Sequence, residues 1–268
     1  MSGAVKSKVT LECVANMSKL SKLVRHVANR MGYEIKRKPK RDDSMPVEFS
    51  KIEREVFHYI FDNKLTIVSP QRLIATILAS KYVVDSEING DFVECGVWRG
   101  GNSLAAKMIF EAYGCEKTVY LFDTFSGMTQ PADSDWRIRD GNSAKQEFEK
   151  IDDWCYATLD DVKKNFKKAH VNMNGVKFVM GDVSETLLVD ENLPKNISVL
   201  RLDTDWYEST LIEMEKLYPL LSTKGVLLID DYGYWDGARK AIEHFFQNPA
   251  HKRPFIQLTD REGRSAIK

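Results

Sequence analysis

After Gly90 the sequence alternates short apolar runs of strand length with longer segments of helical periodicity, and this alternation most constrains the fold. The runs predict seven strands, at residues 92–95, 119–122, 176–180, 199–202, 226–229, 255–258 and 265–267. Strands that are apolar almost throughout are typical of a parallel sheet with helices on both faces. The sequence therefore predicts an α/β protein with a doubly wound, Rossmann-like sheet.

Two helices are predicted before the first strand. Ser50 and Glu53 have the spacing of a capping box, and Ser69 followed by Pro70 is a typical helix start. No repeat or low-complexity tract interrupts the later pattern, so residues 45–268 are interpreted as one domain. Its one long irregular stretch, residues 126–154, has the length of a functional loop.

The N-terminal segment differs from the rest of the chain in charge. Residues 1–41 contain eleven Lys/Arg and two Glu, a net charge of +9, whereas the whole chain is neutral. Apolar residues at helical spacing in residues 18–31 predict a short amphipathic helix before a basic linker, so residues 1–44 are interpreted as an extension. Peripheral membrane contact through residues 18–41, contact with nucleic acid and a simple solvated extension all remain open.

The composition indicates an ordinary globular protein. Of the 268 residues 43% are apolar and 29% charged, and no apolar run reaches the roughly 20 residues that cross a bilayer. Without a secretory signal at the N-terminus, a cytoplasmic location is expected, and the basic extension would suit work at the inner membrane face. The sequence does not decide whether the protein forms a homo-oligomer.

The first candidate site follows the first strand, in the sequence ECGVWRGGNS at residues 94–103. Its spacing differs from the GxGxxG pattern that binds a pyrophosphate. An acidic residue at the start of the loop would repel phosphate and suits a ligand with an ammonium or sulfonium group. The alternative is a plain strand-to-helix turn. The candidate cofactor-binding residues in this stretch are Glu94, Gly96, Gly100 and Ser103.

Acidic residues also follow the second and third strands. Asp123 occupies the position where nucleotide-binding α/β folds place a carboxylate for ribose hydroxyls. Asp182, after the third strand, is a candidate for an adenine amino group. Because Gly-Asp pairs are common in turns, the prediction for Asp182 depends on the other sites.

Two aspartate pairs end the fourth and fifth strands: Asp203 with Asp205, and Asp230 with Asp231. Ligands of open α/β sheets bind beside the carboxyl ends of the strands, so these side chains are expected to share one crevice. Clustered carboxylates repel one another unless a cation bridges them, and oxygen ligands favour Mg²⁺, Mn²⁺ or Ca²⁺ over zinc. Asp203, Asp230 and Asp231 are therefore the predicted metal ligands. Separate helix N-caps are the alternative.

The stretches DFVECGVWRGGNS, YLFDTFSGM, LRLDTDWYEST and LLIDDYGYWDGARKAI resemble the macrocin O-methyltransferase family over residues 66–268. The resemblance implies a class I methyltransferase fold, S-adenosylmethionine and Mg²⁺ as cofactors, and methylation of sugar hydroxyls on macrolides, aminocoumarins or polysaccharides. It implies that Glu94, Gly96 and Asp123 bind the cofactor, and it supports the metal ligands proposed above. Asp205 is the implied general base, and Asp203 is the alternative.

The predicted function is metal-assisted methylation of a sugar hydroxyl on a glycan, glycolipid or glycosylated metabolite. The expected partner is a small-molecule or glycan substrate with vicinal hydroxyls, because a metal can hold two neighbouring oxygens. Precursors of polysaccharide biosynthesis would suit a basic, membrane-facing extension. Two alternatives remain: a nucleic-acid methyltransferase that uses the basic N-terminus, and a non-catalytic, membrane-associated α/β protein. Nucleic acid is not the expected partner, since the negatively charged body would repel phosphate.

Overall fold

The computed structural model describes residues 45–268. The predicted amphipathic helix at residues 18–31, the basic linker and the extension of residues 1–44 lie outside the described residues. A compact unit spans Val47–Lys268.

Eight helices and seven strands make up this unit. The helices are α1 (Lys51–Asp62), α2 (Pro70–Asp85), α3 (Gly101–Ala112), α4 (Ala144–Phe148), α5 (Leu159–Lys168), α6 (Val183–Thr186), α7 (Tyr207–Leu217) and α8 (Asp236–Gln247). The strands are β1 (Asp91–Cys95), β2 (Val119–Asp123), β3 (Val176–Met180), β4 (Ile197–Leu202), β5 (Leu221–Ile229), β6 (Gln257–Leu258) and β7 (Arg264–Ile267). No described helix combines the length and the hydropathy needed to span a membrane.

The seven strands form one mixed sheet in the order β3-β2-β1-β4-β5-β7-β6. Strands β1 to β5 are parallel, while β7 runs antiparallel to β5 and β6 antiparallel to β7. The strand order reverses between β1 and β4, and such a switch point opens a crevice at the carboxyl ends of the strands. The predicted doubly wound sheet is therefore confirmed.

Helices pack on both faces of the sheet. Side chains alternate between faces along a strand, so Val93 and Cys95 of β1 point to one side and Glu94 to the other. The first side holds the main apolar core, where strand residues meet α6, α7 and α8 through side chains such as Leu217 and Phe245. Helices α1, α2 and α3 pack together on the opposite side. The face that carries Glu94 is therefore enclosed as well.

The helix starts predicted for α1 and α2 are confirmed. The Ser50 hydroxyl accepts a hydrogen bond from the Ile52 amide, and the Glu53 carboxylate accepts one from the Ser50 amide at 2.6 Å. The Ser69 hydroxyl accepts from the Arg72 amide, with Pro70 at the first helical position. Two differences concern strands: β5 begins five residues before the predicted run, and β6 keeps only two residues of the predicted 255–258. At the sheet edge Phe255 is 81% exposed, since only β7 is available for pairing.

We predict that Ser50→Ala lowers the free energy of unfolding by about 1 kcal/mol, because the first turn of α1 loses the acceptor for its free amides. Chemical denaturation of the full chain measures this change. Ser134→Ala, at an exposed loop serine, is the matched control and should stay within about 0.5 kcal/mol of the parent. Equal effects of the two changes would contradict a capping role for Ser50.

Candidate active site

Two adjoining cavities open at the carboxyl ends of the parallel strands. The large cavity, about 350 Å³, lies between the loops that follow β1, β2, β4 and β5. The small cavity, about 50 Å³, lies between the loops that follow β2, β3 and β4. Gly96, Asp123, Gly127, Met128 and Asp203 line both cavities. Residues from both sides of the switch point therefore meet around one continuous region.

Several turns that form these cavities contain a non-glycine residue in the left-handed region. Trp98 after β1, Phe125 after β2 and Asp205 after β4 are non-glycine residues with φ of 49°, 52° and 71°. The left-handed region is unfavourable for such residues, and strained backbone is often retained at functional sites. The loops after β1, β2 and β4 thus share a feature that is often found at active sites.

The backbone of the β1 loop passes very close to that of the β4 loop at Gly96. This glycine has φ +79°, and a Cβ at this position would lie 1.9 Å from the Asp203 carbonyl oxygen. No other residue type fits this approach. At Gly96 the space that a side chain would fill is occupied by the backbone of the β4 loop. Gly96 nevertheless lines both cavities.

Asp123 occupies the boundary between the two cavities. Its Oδ2 accepts hydrogen bonds from the amides of Val97 at 2.7 Å and Trp98 at 3.1 Å, and its Oδ1 accepts one from the Phe125 amide at 2.7 Å. Burial raises the pKa of Asp123, and these amides oppose that rise. The carboxylate therefore joins the β1 and β2 loops at the border of the two cavities.

The small cavity has mainly apolar walls, and three aspartates also line it: Asp123, Asp182 and Asp203. Phe122, Met128 and Val183 form part of its wall, and Asp182 also lines it. Asp182 also caps α6, since its Oδ1 accepts a hydrogen bond from the Ser184 amide at 2.8 Å. Asp182 therefore lines the small cavity and also stabilises the turn that leads into α6.

The other three predicted cofactor residues line neither described cavity. Glu94 is 1% exposed and accepts hydrogen bonds from the Ser103 hydroxyl and the Arg201 guanidinium. Gly100 faces the side chains of Val162 and Phe166. These three residues therefore support the β1 loop and the start of α3 without lining either cavity. Their positions do not support direct contact with a ligand.

Arg201 in β4 is a buried cation that the sequence reading overlooked. Its side chain is 2% exposed, and its Nη1 donates to Glu94 at 2.9 Å and to Asp203 at 2.6 Å, while its Nη2 pairs with Asp230. Burial alone would lower the pKa of Arg201, but the three carboxylates raise it above its usual value. The signal in the sequence was a single charge inside an otherwise apolar strand.

Asp230, one of the predicted metal ligands, is held by two arginines. Its Oδ1 pairs with Arg201 and its Oδ2 with Arg72 of α2. Arg72 also donates to Asp260 at 3.1 Å and to Glu262 at 2.8 Å. Because both carboxylate oxygens already have cationic partners, Asp230 is poorly placed to bind a metal as well.

Asp205, rather than Asp230, forms a carboxylate cluster with Asp203 and Asp231. Asp203, Asp205 and Asp231 each offer a carboxylate oxygen, and these three atoms lie within 4.8 Å of one another. Asp231 Oδ2 is buried and has no hydrogen-bond partner among the described residues. The structure therefore brings together three of the four predicted aspartates at the floor of the large cavity and directs the fourth toward arginines.

Burial and crowding raise the pKa values of these carboxyl groups. Burial raises the pKa of Asp203 to about 6, against the opposing effect of Arg201. Burial raises the pKa of Asp205 to about 8. The pKa of Asp231 lies well above its usual value because of burial and the neighbouring carboxyl groups of Asp205 and Asp230. These three side chains together are unfavourable as free anions, so a bound proton or a cation would stabilise them.

Part of the long loop of residues 126–154 covers the large cavity. Trp154 packs against Trp206 and Trp235, with ring centroids 6.1 and 6.2 Å away. Asp135, buried in the same loop, accepts a hydrogen bond from the amide of Tyr207 at the start of α7. The sequence predicted a functional loop at residues 126–154 from the length of this stretch alone. It did not indicate which cavity the loop covers, and it did not identify Asp135.

Fold and site together define an α/β protein with a mainly apolar cavity beside a carboxylate cluster. The sequence model of the Macrocin-O-methyltransferase (TylF) family matches residues 4–263, so the match includes most of the basic N-terminal segment as well. The chain belongs to this family. It is therefore an S-adenosylmethionine-dependent O-methyltransferase.

Individual relatives agree with this assignment. The 8-demethyl-8-(2,3-dimethoxy-alpha-L-rhamnosyl)-tetracenomycin-C 4'-O-methyltransferase of Streptomyces olivaceus is 31% identical over 67% of each chain. The mycinamicin III 3''-O-methyltransferase of Micromonospora griseorubida is 30% identical over 66% of this chain and 67% of its own. The structure of the O-methyltransferase NovP is similar with a TM-score of 0.66 and 26% identity, over 76% of this chain and 81% of that one.

We predict that Arg201→Met lowers the free energy of unfolding by about 3–5 kcal/mol, because Glu94, Asp203 and Asp230 lose their shared buried counter-charge. Urea denaturation at neutral pH measures the loss. The exposed pair of Lys51 with Glu55 supplies the control, since Lys51→Met should cost less than about 1 kcal/mol. A small effect at Arg201 would show that the three carboxylates do not depend on it.

Glu213 of α7 provides a pH test of the apolar side of the site. Its side chain is fully buried, its Oε1 accepts from Thr204 at 2.8 Å, and burial raises its pKa to about 8. The folded state therefore holds a proton that the unfolded state releases above its ordinary pKa of 4.5, and the contribution of this group to stability falls as pH rises from 4.5 to 8.

We predict that the melting temperature of Glu213→Gln, relative to the parent, rises between about pH 5 and pH 8, since the amide keeps the Thr204 contact and carries no charge. Thermal melts across this range measure the difference. Glu215→Gln, at an exposed position of the same helix, should show no such trend. A difference that is flat or falls with pH would contradict a proton held by Glu213.

Proposed function

We propose that the enzyme methylates a hydroxyl of a sugar with the assistance of a divalent cation held by Asp203, Asp205 and Asp231. The observation that carries this proposal is the buried Oδ2 of Asp231, which has no hydrogen-bond partner among the described residues and lies beside two further carboxylates in a cavity that adjoins a mainly apolar recess. The acceptor would occupy the large cavity and the cofactor the small cavity with its border.

The small cavity and its rim suit S-adenosylmethionine. Apolar walls formed by Phe122, Met128 and Val183 match the faces of an adenine, while Asp182 lies where it can accept from an exocyclic amino group. Asp123 is placed to accept from ribose hydroxyls. Asp203 lines both cavities, and its negative charge favours the positively charged end of the cofactor there. Glu94, Gly100 and Ser103 would act by shaping the loop.

The carboxylate cluster suits a hard cation. Its three donors are all oxygens, which is the preference of Mg²⁺ and Mn²⁺, and burial together with the neighbouring Asp203 raises the pKa of Asp205. When bound, such a cation supplies Lewis acidity and holds neighbouring sugar oxygens. We propose Asp203, Asp205 and Asp231 as its ligands in place of the set that includes Asp230.

The protein's own residues provide orientation, exclusion of water and a proton acceptor. Methyl transfer requires that the hydroxyl oxygen lie in line with the methyl group and its leaving sulfur, and Gly96 and Asp203 form the boundary where the two ligands would meet. Trp154 and Trp235 line the large cavity and keep its wall dry. Asp205, held in a strained conformation at the cavity floor, is the proposed acceptor of the hydroxyl proton, with Asp203 as the alternative.

The acceptor class follows from the relatives. The enzyme of Streptomyces olivaceus is named for a substrate that carries a rhamnosyl group, and that of Micromonospora griseorubida for mycinamicin III. We propose a glycosylated or glycan-precursor acceptor with neighbouring hydroxyls. For residues 1–44 we propose a separate extension that places the catalytic domain of residues 45–268 at the inner face of a membrane.

Incubation of sugar and glycan pools with the enzyme and labelled S-adenosylmethionine, with and without EDTA, tests the reaction. A methyl-sized mass gain that disappears with EDTA and returns with Mg²⁺ or Mn²⁺ is the expected result. A gain on nucleic acid alone would overturn the sugar assignment, and a gain that ignores EDTA would overturn the cation.

We predict that Asp231→Asn lowers methyl transfer by about 100-fold or more and abolishes the rise in melting temperature that Mg²⁺ causes in the parent. In EDTA the variant should be at least as stable as the parent, because one of several crowded carboxylates has become neutral. Asp190→Asn, at an exposed position outside both cavities, is the control and should behave like the parent. Loss of stability in EDTA would instead indicate a structural role for Asp231.

A further inference from the structure

A third cavity, about 260 Å³, adjoins the large cavity and has the opposite charge. Tyr234 and Glu262 form part of its wall. The wall also includes four arginines: Arg139, Arg239, Arg261 and Arg264. We refer to it as the arginine cavity. The proposed function assigns no role to this cavity.

The arginine cavity and the large cavity share two wall residues, Tyr234 and Glu262. Glu262 accepts a hydrogen bond from Arg72, the arginine that also pairs with Asp230. The Glu262 carbonyl accepts from the Gly233 amide at 2.8 Å, which joins the loop after β5 to the loop before β7. The shared wall is therefore held by hydrogen bonds and ion pairs, and it borders both cavities.

Arg264 is held in position before any ligand binds. Its Nη1 donates to the Gly263 carbonyl at 2.8 Å, and its guanidinium lies over the Tyr232 ring, 5.0 Å from the ring centroid. Among the described residues, the Arg264 guanidinium contacts backbone carbonyls and a ring, and no carboxylate pairs with it. A guanidinium fixed in this way loses little conformational entropy when an anion binds.

The other arginines leave an excess of positive charge around the cavity. Arg139 is 3.5 Å from Asp140, and Arg239 pairs with Asp236 at the start of α8. For Arg261 the described residues provide no ion pair. The one acidic residue in the wall is Glu262, which Arg72 already engages. The cavity is therefore strongly favourable for an anion with more than one charge.

We propose that the arginine cavity binds a diphosphate group carried by the acceptor sugar. This proposal rests on the proposed function, since it places the sugar in the large cavity. A single carboxylate would satisfy one arginine, whereas a diphosphate offers several oxygens and more than one negative charge to the four guanidinium groups. The acceptor would thus be a sugar diphosphate ester, linked to a nucleoside or to a lipid.

The charge distribution also fixes the orientation of such a substrate. Asp203, Asp205 and Asp231 would repel a diphosphate from the floor of the large cavity, while the arginine cavity attracts it. The uncharged sugar is then directed toward the carboxylates and the cofactor. With its diphosphate in the arginine cavity, the acceptor would meet complementary charge. In the reverse orientation, the carboxylates would repel the diphosphate.

Calorimetric titration of the full chain tests this proposal with three probes: inorganic pyrophosphate, uridine diphosphate and geranyl diphosphate. EDTA is present throughout so that no divalent cation contributes to binding. We expect Arg261→Gln to weaken binding about 10-fold, the loss of a charge-assisted contact, and Arg139→Gln/Arg261→Gln to weaken it further. Lys216→Gln, at an exposed lysine of α7, is the matched control and should leave the affinity unchanged.

The two possible sources of the diphosphate give different results. Tightest binding of uridine diphosphate indicates a nucleotide-linked acceptor, and tightest binding of geranyl diphosphate indicates a lipid-linked one. Absence of binding of all three probes, or binding that the arginine variants do not weaken, would overturn the proposal. Because these titrations need no turnover, they fail separately from the reaction assay and from the Asp231→Asn test.

Discussion

The active site depends on one buried arginine that balances carboxylates from three strands. Arg201 of β4 contacts Glu94 at the end of β1, Asp203 after β4 and Asp230 after β5. Burying a charge is costly unless it is paired, so each of these groups requires the others. The central strands are thus held together at the edge where the ligands would bind, and the positions of Asp203 and Asp230 follow from this contact.

The same balance divides the four strand-end aspartates into two roles. Asp230 lies between Arg201 and Arg72 and completes the ionic network, while Asp205 and Asp231 remain without arginine partners among the described residues. Negative charge in excess of the available arginines accumulates at the floor of the large cavity. Burial, with the neighbouring carboxylates, raises the pKa of Asp203 and Asp205, so a proton or a cation would stabilise the two side chains there.

The sequence predicted the sheet, the helix starts of α1 and α2 and the convergence of the aspartates, because apolar periodicity and capping residues act locally. It could not assign Asp230 correctly among four similar residues, since the decisive partner, Arg72, lies 158 positions earlier in the chain. Glu94 was given a ligand contact because its position in the loop suggested one, whereas Arg201 and Ser103 enclose it. Long-range ion pairs leave no periodic signal in a sequence.

Opposite charges on the two sides of Tyr234 and Glu262 extend this argument beyond the catalytic groups. Arg72 belongs to both regions, because it neutralises Asp230 on one side and holds Glu262 on the other. With Glu262 engaged in this way, the arginines of the neighbouring cavity keep their attraction for an anion. A single ionic network runs from Arg201 through Asp230 and Arg72 to Glu262. This network therefore influences both the excess of negative charge in the large cavity and the excess of positive charge in the arginine cavity.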